Sequence, residues 1–344
     1  MASPHTQEIS YSILDLAPVR AGGSIAESFR NMLDLARHAE IWGYTRFWLA
    51  EHHNMPGIAS AATSVLIGYV AGRTSTLRVG SGGVMLPNHA PLVIAEQFGT
   101  LETLYPGRID LGVGRAPGTD GLTARALRRG LNGGEDDFPK QVAELLAYLA
   151  PAGPGQKLQA VPGAGTNVPV WLLGSSTYSA QLAAMMGLPF GFASHFAPEL
   201  LFQAIQIYRE RFKPSPFLEK PYVMAGVPVV AADTDAEANR LATSPALRFL
   251  KLLRNESLFI PPPVASMDGL WSDPERQIVE SKLRTSVVGG PETVRRKLAR
   301  FLEDTQADEL IFTSDVYDPA ARLRSFEIAA AAMKGIRDGC AKMK

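Results

Sequence analysis

The run Arg46-Phe47-Trp48-Leu49-Ala50-Glu51-His52-His53-Asn54 begins apolar and stops abruptly in four polar residues. An apolar run of that length ahead of a polar turn reads as a buried strand. The stop brings together one carboxylate and two adjacent imidazoles. Histidine is the side chain that exchanges protons near neutrality, so the chemistry to expect is general acid–base work at His52 and His53, with Glu51 beside them. A single histidine after a strand is more often a hydrogen-bonded structural residue. Two of them with an acid make a catalytic set an even alternative.

Three further segments have the form of ligand-binding strand ends. Gly80-Ser81-Gly82-Gly83-Val84-Met85-Leu86-Pro87-Asn88-His89 puts glycines inside a strand, which signals a bulge or the close approach of a flat ligand. A packing requirement explains them equally well. Ile109-Asp110-Leu111-Gly112-Val113-Gly114-Arg115 ends in a glycine and then an arginine, where a guanidinium could clamp a phosphate. Val170-Trp171-Leu172-Leu173-Gly174-Ser175-Ser176-Thr177 runs from strand through glycine and hydroxyls into a helix pattern. A helix N-terminus offers free N–H groups to an anion, although Ser176 or Thr177 could simply cap the helix. Ser194-His195-Phe196 closes another strand, so His195 could reach the same cavity. Neither GxGxxG after the first strand nor GxxxxGK[ST] occurs, so a Rossmann site or a P-loop is not expected. No local metal-ligand spacing is present, and no metal is expected.

The elements that would position these residues alternate along the chain. Strand-like runs are Ile9–Leu14, Arg46–Ala50, Leu77–Val84, Arg108–Val113, Val168–Leu173, Pro189–Ala193, Tyr222–Ala231 and Asp308–Phe312. Helical patterns lie between them. Phe29, Met32, Leu33, Ala36 and Ala39 share one face, with Ser24 and Glu27 at capping-box spacing before them and Gly43 as a stop. Thr234 and Glu237 repeat that spacing, and Ala320–Ile336 reads as a last amphipathic helix. Eight βα units predict an α/β TIM (β/α)8 barrel, with an open doubly wound sheet as the alternative. The chain, residues 1–344, reads as one barrel domain with insertions at about 117–140, 152–167 and 243–285. The first, which carries Arg125, Arg128 and Arg129, and the third follow strand-to-helix junctions. Both are therefore expected on the catalytic carboxyl-end face.

Composition narrows the function classes. The 344 residues are 46% hydrophobic and 20% charged, with 34 basic and 34 acidic side chains. That balance supports a sizeable core and argues against a nucleic-acid or anionic-membrane partner. Cys340 is the only cysteine, so no intramolecular disulfide and no cysteine metal cluster is expected. Met1–Thr6 lacks the apolar core of a signal peptide, and no stretch reaches the roughly 18 apolar residues of a membrane span. The cytoplasm is the expected compartment.

Taken in order, Trp48–His53, Val79–Pro87, Pro106–Arg115 and Pro169–Ser176 resemble the bacterial luciferase-like flavin monooxygenases, a likeness running from about Ile9 to Ile336. Leu14-Asp15-Leu16-Ala17-Pro18 and Phe192-Ala193-Ser194-His195-Phe196-Ala197-Pro198 are most similar to an enterobacterial-type, non-luminescent branch. The resemblance implies a barrel that holds FMN at the carboxyl ends of its strands. It puts His52 at the position of the catalytic histidine and Gly82-Gly83 near the flavin ring, where relatives carry a non-prolyl cis peptide. Arg115, Ser175 and Ser176 fall where relatives hold the phosphate. The cofactor set it implies also takes in Met85, Gly114, Gly174, Ser194 and His195. Luciferase itself has a cysteine where this chain has Gly114, so light emission and long-chain aldehydes are not implied.

The implied reaction is oxidation of a small organic substrate by O2 and reduced FMN through a flavin peroxide. A separate flavin reductase would supply the reduced FMN, and the resemblance also implies a homodimer. Two alternatives stand beside it, a deazaflavin-dependent hydride-transfer oxidoreductase and a non-catalytic flavin-binding protein.

Overall fold

The computed structural model describes residues 9–116, 118–127 and 137–342. Pro117, Arg128, Arg129 and the side chain of Cys340 lie outside what it describes. Nine strands form one parallel sheet: β1 (Ser10–Asp15), β2 (Arg46–Leu49), β3 (Arg78–Met85), β4 (Ile109–Gly114), β5 (Val170–Gly174), β6 (Phe190–Phe192), β7 (Val223–Ala231), β8 (Val287–Gly289) and β9 (Glu309–Thr313). Neighbours run β1 through β6 in order, β6 also pairs with β7, and β9 lies between β7 and β1. Eight strands therefore close into a barrel, and the expected (β/α)8 architecture is what forms.

All eight expected strands occur within two residues of their expected ends. β8 was not expected. It is three residues long and pairs with Val229–Ala231, the stretch of β7 that runs past the end of β9's pairing. So short a segment, with no periodicity of its own, is hidden in the sequence by the longer strand it leans on.

Local sequence sets the helix ends. In the helix Ile25–Trp42 both halves of the Ser24–Glu27 capping box form, and Gly43 closes the helix at φ 80°. At Thr234 only half forms. The Glu237 N–H donates to Thr234 Oγ1, while the Glu237 carboxylate turns to Arg240. The third insertion is mostly helical, with Thr243–Leu253 and Asp273–Leu283. Residues 152–167 lead into β5 from the helix side, with Gly163 packed against Gly99. No helix among the described residues is long and apolar enough to cross a membrane.

The large core lies between barrel and helices. Inside the barrel a smaller apolar cluster holds Leu14, Trp48, Trp171, Met224 and Ile311. Beneath it, at the amino ends of the strands, lies a charge network. Arg46 Nε donates to Glu309 at 3.0 Å, and its Nη1 donates to Asp110 at 2.9 Å. Asp110 also accepts from Arg78 Nε and from Trp48 Nε1. Tyr222 donates to Glu309, and the Arg46 guanidinium lies 4.8 Å from the Trp171 ring centre. Asp110 and Glu309 are fully buried. Burial opposes charge on Asp110, but Arg46 and Arg78 hold its carboxyl below the usual range.

Removing one partner of such a network strands the others in the interior. Asp110→Ala is expected to lower stability in urea unfolding by about 3–5 kcal/mol. A loss below about 1 kcal/mol, the worth of a surface pair, would show that the network does not brace the barrel.

Candidate active site

The carboxyl ends of β2 and β3 meet at Glu51. Its buried carboxylate accepts from His53 Nε2 at 2.8 Å, from His89 Nε2 at 2.9 Å and from the Met85 N–H at 3.2 Å. Burial favours the protonated acid, but the bonds from His53 and His89, together with the Met85 amide, outweigh it and hold the carboxyl near pKa 2. Because the carboxylate only accepts, both imidazoles present N–H at Nε2. His89 follows β3, so local spacing around Glu51 could not reveal it. The same three side chains put a carboxylate oxygen and two ring nitrogens within 4.8 Å of one another, a donor set that could also hold a metal ion.

His52 takes its hydrogen bond outside that cluster. Its Nδ1 lies 3.2 Å from the Gly118 carbonyl, which can only accept. Neutral His52 therefore carries its proton on Nδ1 and its lone pair on Nε2. Burial, helped by the positive charge of Arg248, lowers its pKa, so His52 is a free base at neutrality. Gly118 also accepts from the His53 amide, and Thr119 Oγ1 donates to the His53 carbonyl at 2.9 Å. The start of the first insertion thus braces the histidine loop. Arg125, further along, bonds back to Gly121 of its own helix.

Between β3 and β4 the chain is crowded. The Gly82–Gly83 peptide is cis, and the register shifts between Gly82 and Val84. A Cβ on Gly82 would lie 2.6 Å from the Leu14 side chain, and one on Gly83 would lie 2.7 Å from the Gly112 carbonyl. Barrel packing alone accounts for these glycines. Gly114 is looser, its side-chain position 3.4 Å from Met85 Sδ.

The ends of β4 and β5 form a second locus. Ser176 is the N-cap residue of the helix Thr177–Met186, yet its hydroxyl makes no capping bond, and the first turn has no acid. The capping alternative is therefore not what forms. Gly174 lets Ser179 approach, since a Cβ there would stand 2.2 Å from Ser179 Oγ. The Arg115 guanidinium sits 4.3 Å from the Tyr178 ring centre. Ser175, Ser176 and Arg115 are all partly exposed. Uncapped amides, hydroxyls and a guanidinium are the parts of an anion site.

At β6 the two expected residues diverge. Ser194 is fully buried, and its hydroxyl donates to the Gly226 carbonyl at 2.5 Å, so it ties β6 to β7 instead of facing a ligand. The His195 ring rests against Gly226, where a Cβ would stand 2.3 Å from Nδ1. That nitrogen is buried with no hydrogen-bond partner among the described residues. Burial pulls the His195 pKa down to about 4, against the opposing pull of Asp315.

The third insertion roofs this face. The Ile260 N–H donates to Val19 and the Ala21 N–H to Ile260, while the Leu258 carbonyl presses on Gly57. Thr285 Oγ1 donates to the Ser194 carbonyl. The roof brings in Arg248, which pairs with Asp315 at 2.7 Å. Neither residue carried a local signal in the sequence.

Residues 9–309 match the family described as luciferase-like monooxygenase. A luciferase-like monooxygenase of Escherichia coli (strain K12) is 57% identical over 321 residues, 93% of this chain and 96% of that protein. An N-acetyl-S-alkylcysteine monooxygenase of Bacillus subtilis (strain 168) is 37% identical over 238 residues, 67% of this chain and 70% of that protein. The crystal structure of apo-MsnO8 superposes with a TM-score of 0.88 at 36% identity, covering 95% and 98% of the two chains. Two more distant structures share the fold. The oxygenating constituent of 3,6-diketocamphane monooxygenase from Pseudomonas putida, in complex with FMN, has a TM-score of 0.70 at 20% identity, covering 95% and 98%. An F420-dependent secondary alcohol dehydrogenase with an F420-acetone adduct has a TM-score of 0.63 at 16%, covering 95% and 99%.

The buried His195 generates a pH prediction. Its folded-state pKa, about 4, lies below the ordinary 6.5, so between those values the unfolded chain binds a proton that the folded chain does not. Stability must therefore fall as pH drops through that window. Chemical unfolding of the wild type and His195→Gln at pH 7 and pH 4.5 is expected to show a smaller acid loss in the variant. Equal losses would mean that His195 takes up its proton normally in the fold.

Proposed function

The chain belongs to the luciferase-like monooxygenase family, and we propose that it oxidises a small organic substrate with O2 and reduced FMN delivered by a separate reductase. The reading includes a homodimer, as the resemblance implies. The single observation that carries the cofactor assignment is the uncapped helix start at Ser176 with Arg115 beside Tyr178. It sits on the same barrel face as His52 and fits a phosphorylated flavin. Ser175, Ser176, the first amides of that helix and Arg115 would hold the phosphate, and Met85 and Gly114 would lie toward the ring. When bound, reduced FMN supplies the electrons by which one oxygen atom passes to the substrate.

The protein's own groups have separate tasks. Neutral His52 offers Nε2 as the base that takes a proton from the reacting centre and returns it. Glu51 holds His53 and His89 in fixed orientation and keeps a negative charge beneath them. The roof that carries Arg248 would cover the bound flavin and limit the access of water to it. The Bacillus subtilis relative, named for an N-acetyl-S-alkylcysteine, offers one substrate class to screen. An F420 complex within the same fold keeps hydride transfer to a deazaflavin as the second reading.

The test compares binding of FMN, riboflavin and F420. FMN is expected to bind roughly 10–100-fold more tightly than riboflavin, the worth of a charge-assisted contact set. Arg115→Ala combined with Ser176→Ala should erase that difference and leave riboflavin affinity unchanged. Equal affinities in the wild type would overturn the phosphate site, and tighter binding of F420 than of FMN would favour the second reading.

A further inference from the structure

Arg46, Arg322 and Arg248 are all largely buried, and their partners separate them. Arg46 lies between two fully buried carboxylates, and Arg322 donates to the fully buried Asp15 at 2.7 Å and to the Ser314 carbonyl. Those donors are bound into the fold. Arg248 is 8% exposed, but among the described residues its one hydrogen bond runs from Nε to the Leu258 carbonyl at 3.0 Å. Its Nη1 has only an ion pair with Asp315 at 2.7 Å, and the Asp315 side chain is 33% exposed. A guanidinium has five N–H donors in a planar fork, so most of those on Arg248 are uncommitted. An acid that remains a third exposed is an exchangeable partner, one that water already reaches.

Position gives this pair its meaning. Arg248 lies in the roof, whose Leu258 carbonyl rests on Gly57 of the histidine loop. Asp315 follows β9, at the carboxyl end of the barrel. On the same face His195 leaves a buried ring nitrogen without a hydrogen-bond partner among the described residues. A carboxylate would find a bidentate fork at Arg248, and a neutral substrate would leave that fork facing Asp315.

We propose that Arg248 is the specificity residue of this site, that it receives an ionised carboxylate of the substrate, and that Asp315 is the partner it exchanges for that carboxylate. The substrate class is thus a small organic acid. The proposal rests on the reading of this face as the flavin monooxygenase site, so FMN affinity is measured in every variant. A wild type that binds no FMN would sink that reading. A wild type that binds FMN and ignores carboxylates would sink only this proposal.

The experiment is calorimetric titration of the FMN-loaded protein with three matched pairs: N-acetyl-S-methylcysteine, phenylacetate and hexanoate, each against its primary amide. At least one acid is expected to bind roughly 10–100-fold more tightly than its amide. Arg248→Gln should remove the preference and Arg248→Lys should keep part of it. Asp315→Asn, which frees the fork, should tighten acid binding, whereas a merely structural clamp would weaken or lose binding with either partner. No acid preferred in any pair, a preference that survives Arg248→Gln, or weaker acid binding in Asp315→Asn would each overturn the proposal.

Discussion

The charge network at the amino end of the barrel is the constraint on which the rest depends. Two carboxylates, Asp110 and Glu309, sit inside the strand ring with no exposure, and they are tolerable there because Arg46 joins them and Arg78, Trp48 and Tyr222 supply further donors. Trp48 and Trp171 pack edge to face above this layer with ring centres 5.2 Å apart. Charge below and indole above fill the interior. A ligand can therefore approach only from the carboxyl ends, where the strands finish in glycine, serine and histidine and where the third insertion forms a roof.

At that open end another buried carboxylate does for the site what Asp110 does for the barrel. Glu51 accepts three N–H bonds from residues on two different strand ends. Its charge is stabilised in place, and it fixes which nitrogen of His53 and His89 carries the proton. His52 escapes this grip because Gly118 holds its other side. One histidine is thereby anchored to the first insertion, and the two others are anchored to the carboxylate. The sequence Glu-His-His alone could not assign those roles, since all three residues look alike as a cluster.

What could be read in advance follows from how local the causes are. The barrel strands are apolar runs bounded by glycine, proline or a helix cap, so their ends could be read within two residues. The polar stop after Ala50 and the hydroxyls after Gly174 lie beside the strands that aim them, so they too could be read. The glycines of β3 carried an ambiguous signal, and contacts with Leu14 and Gly112 show that packing suffices for them. His89, Arg248 and Asp315 depend on strand closure and on the path of the roof, which no local pattern records. Ser194 had the right residue type, but the Gly226 carbonyl lies close enough to take its hydroxyl.

The measurement that goes to the centre of the account is rapid mixing of the protein, loaded with chemically reduced FMN, with oxygenated buffer under absorbance detection. A flavin species is expected that outlives the reaction of free reduced FMN with oxygen and that disappears in His52→Ala while FMN binding remains. Oxidation at the rate of free flavin, unchanged by the protein, would contradict it.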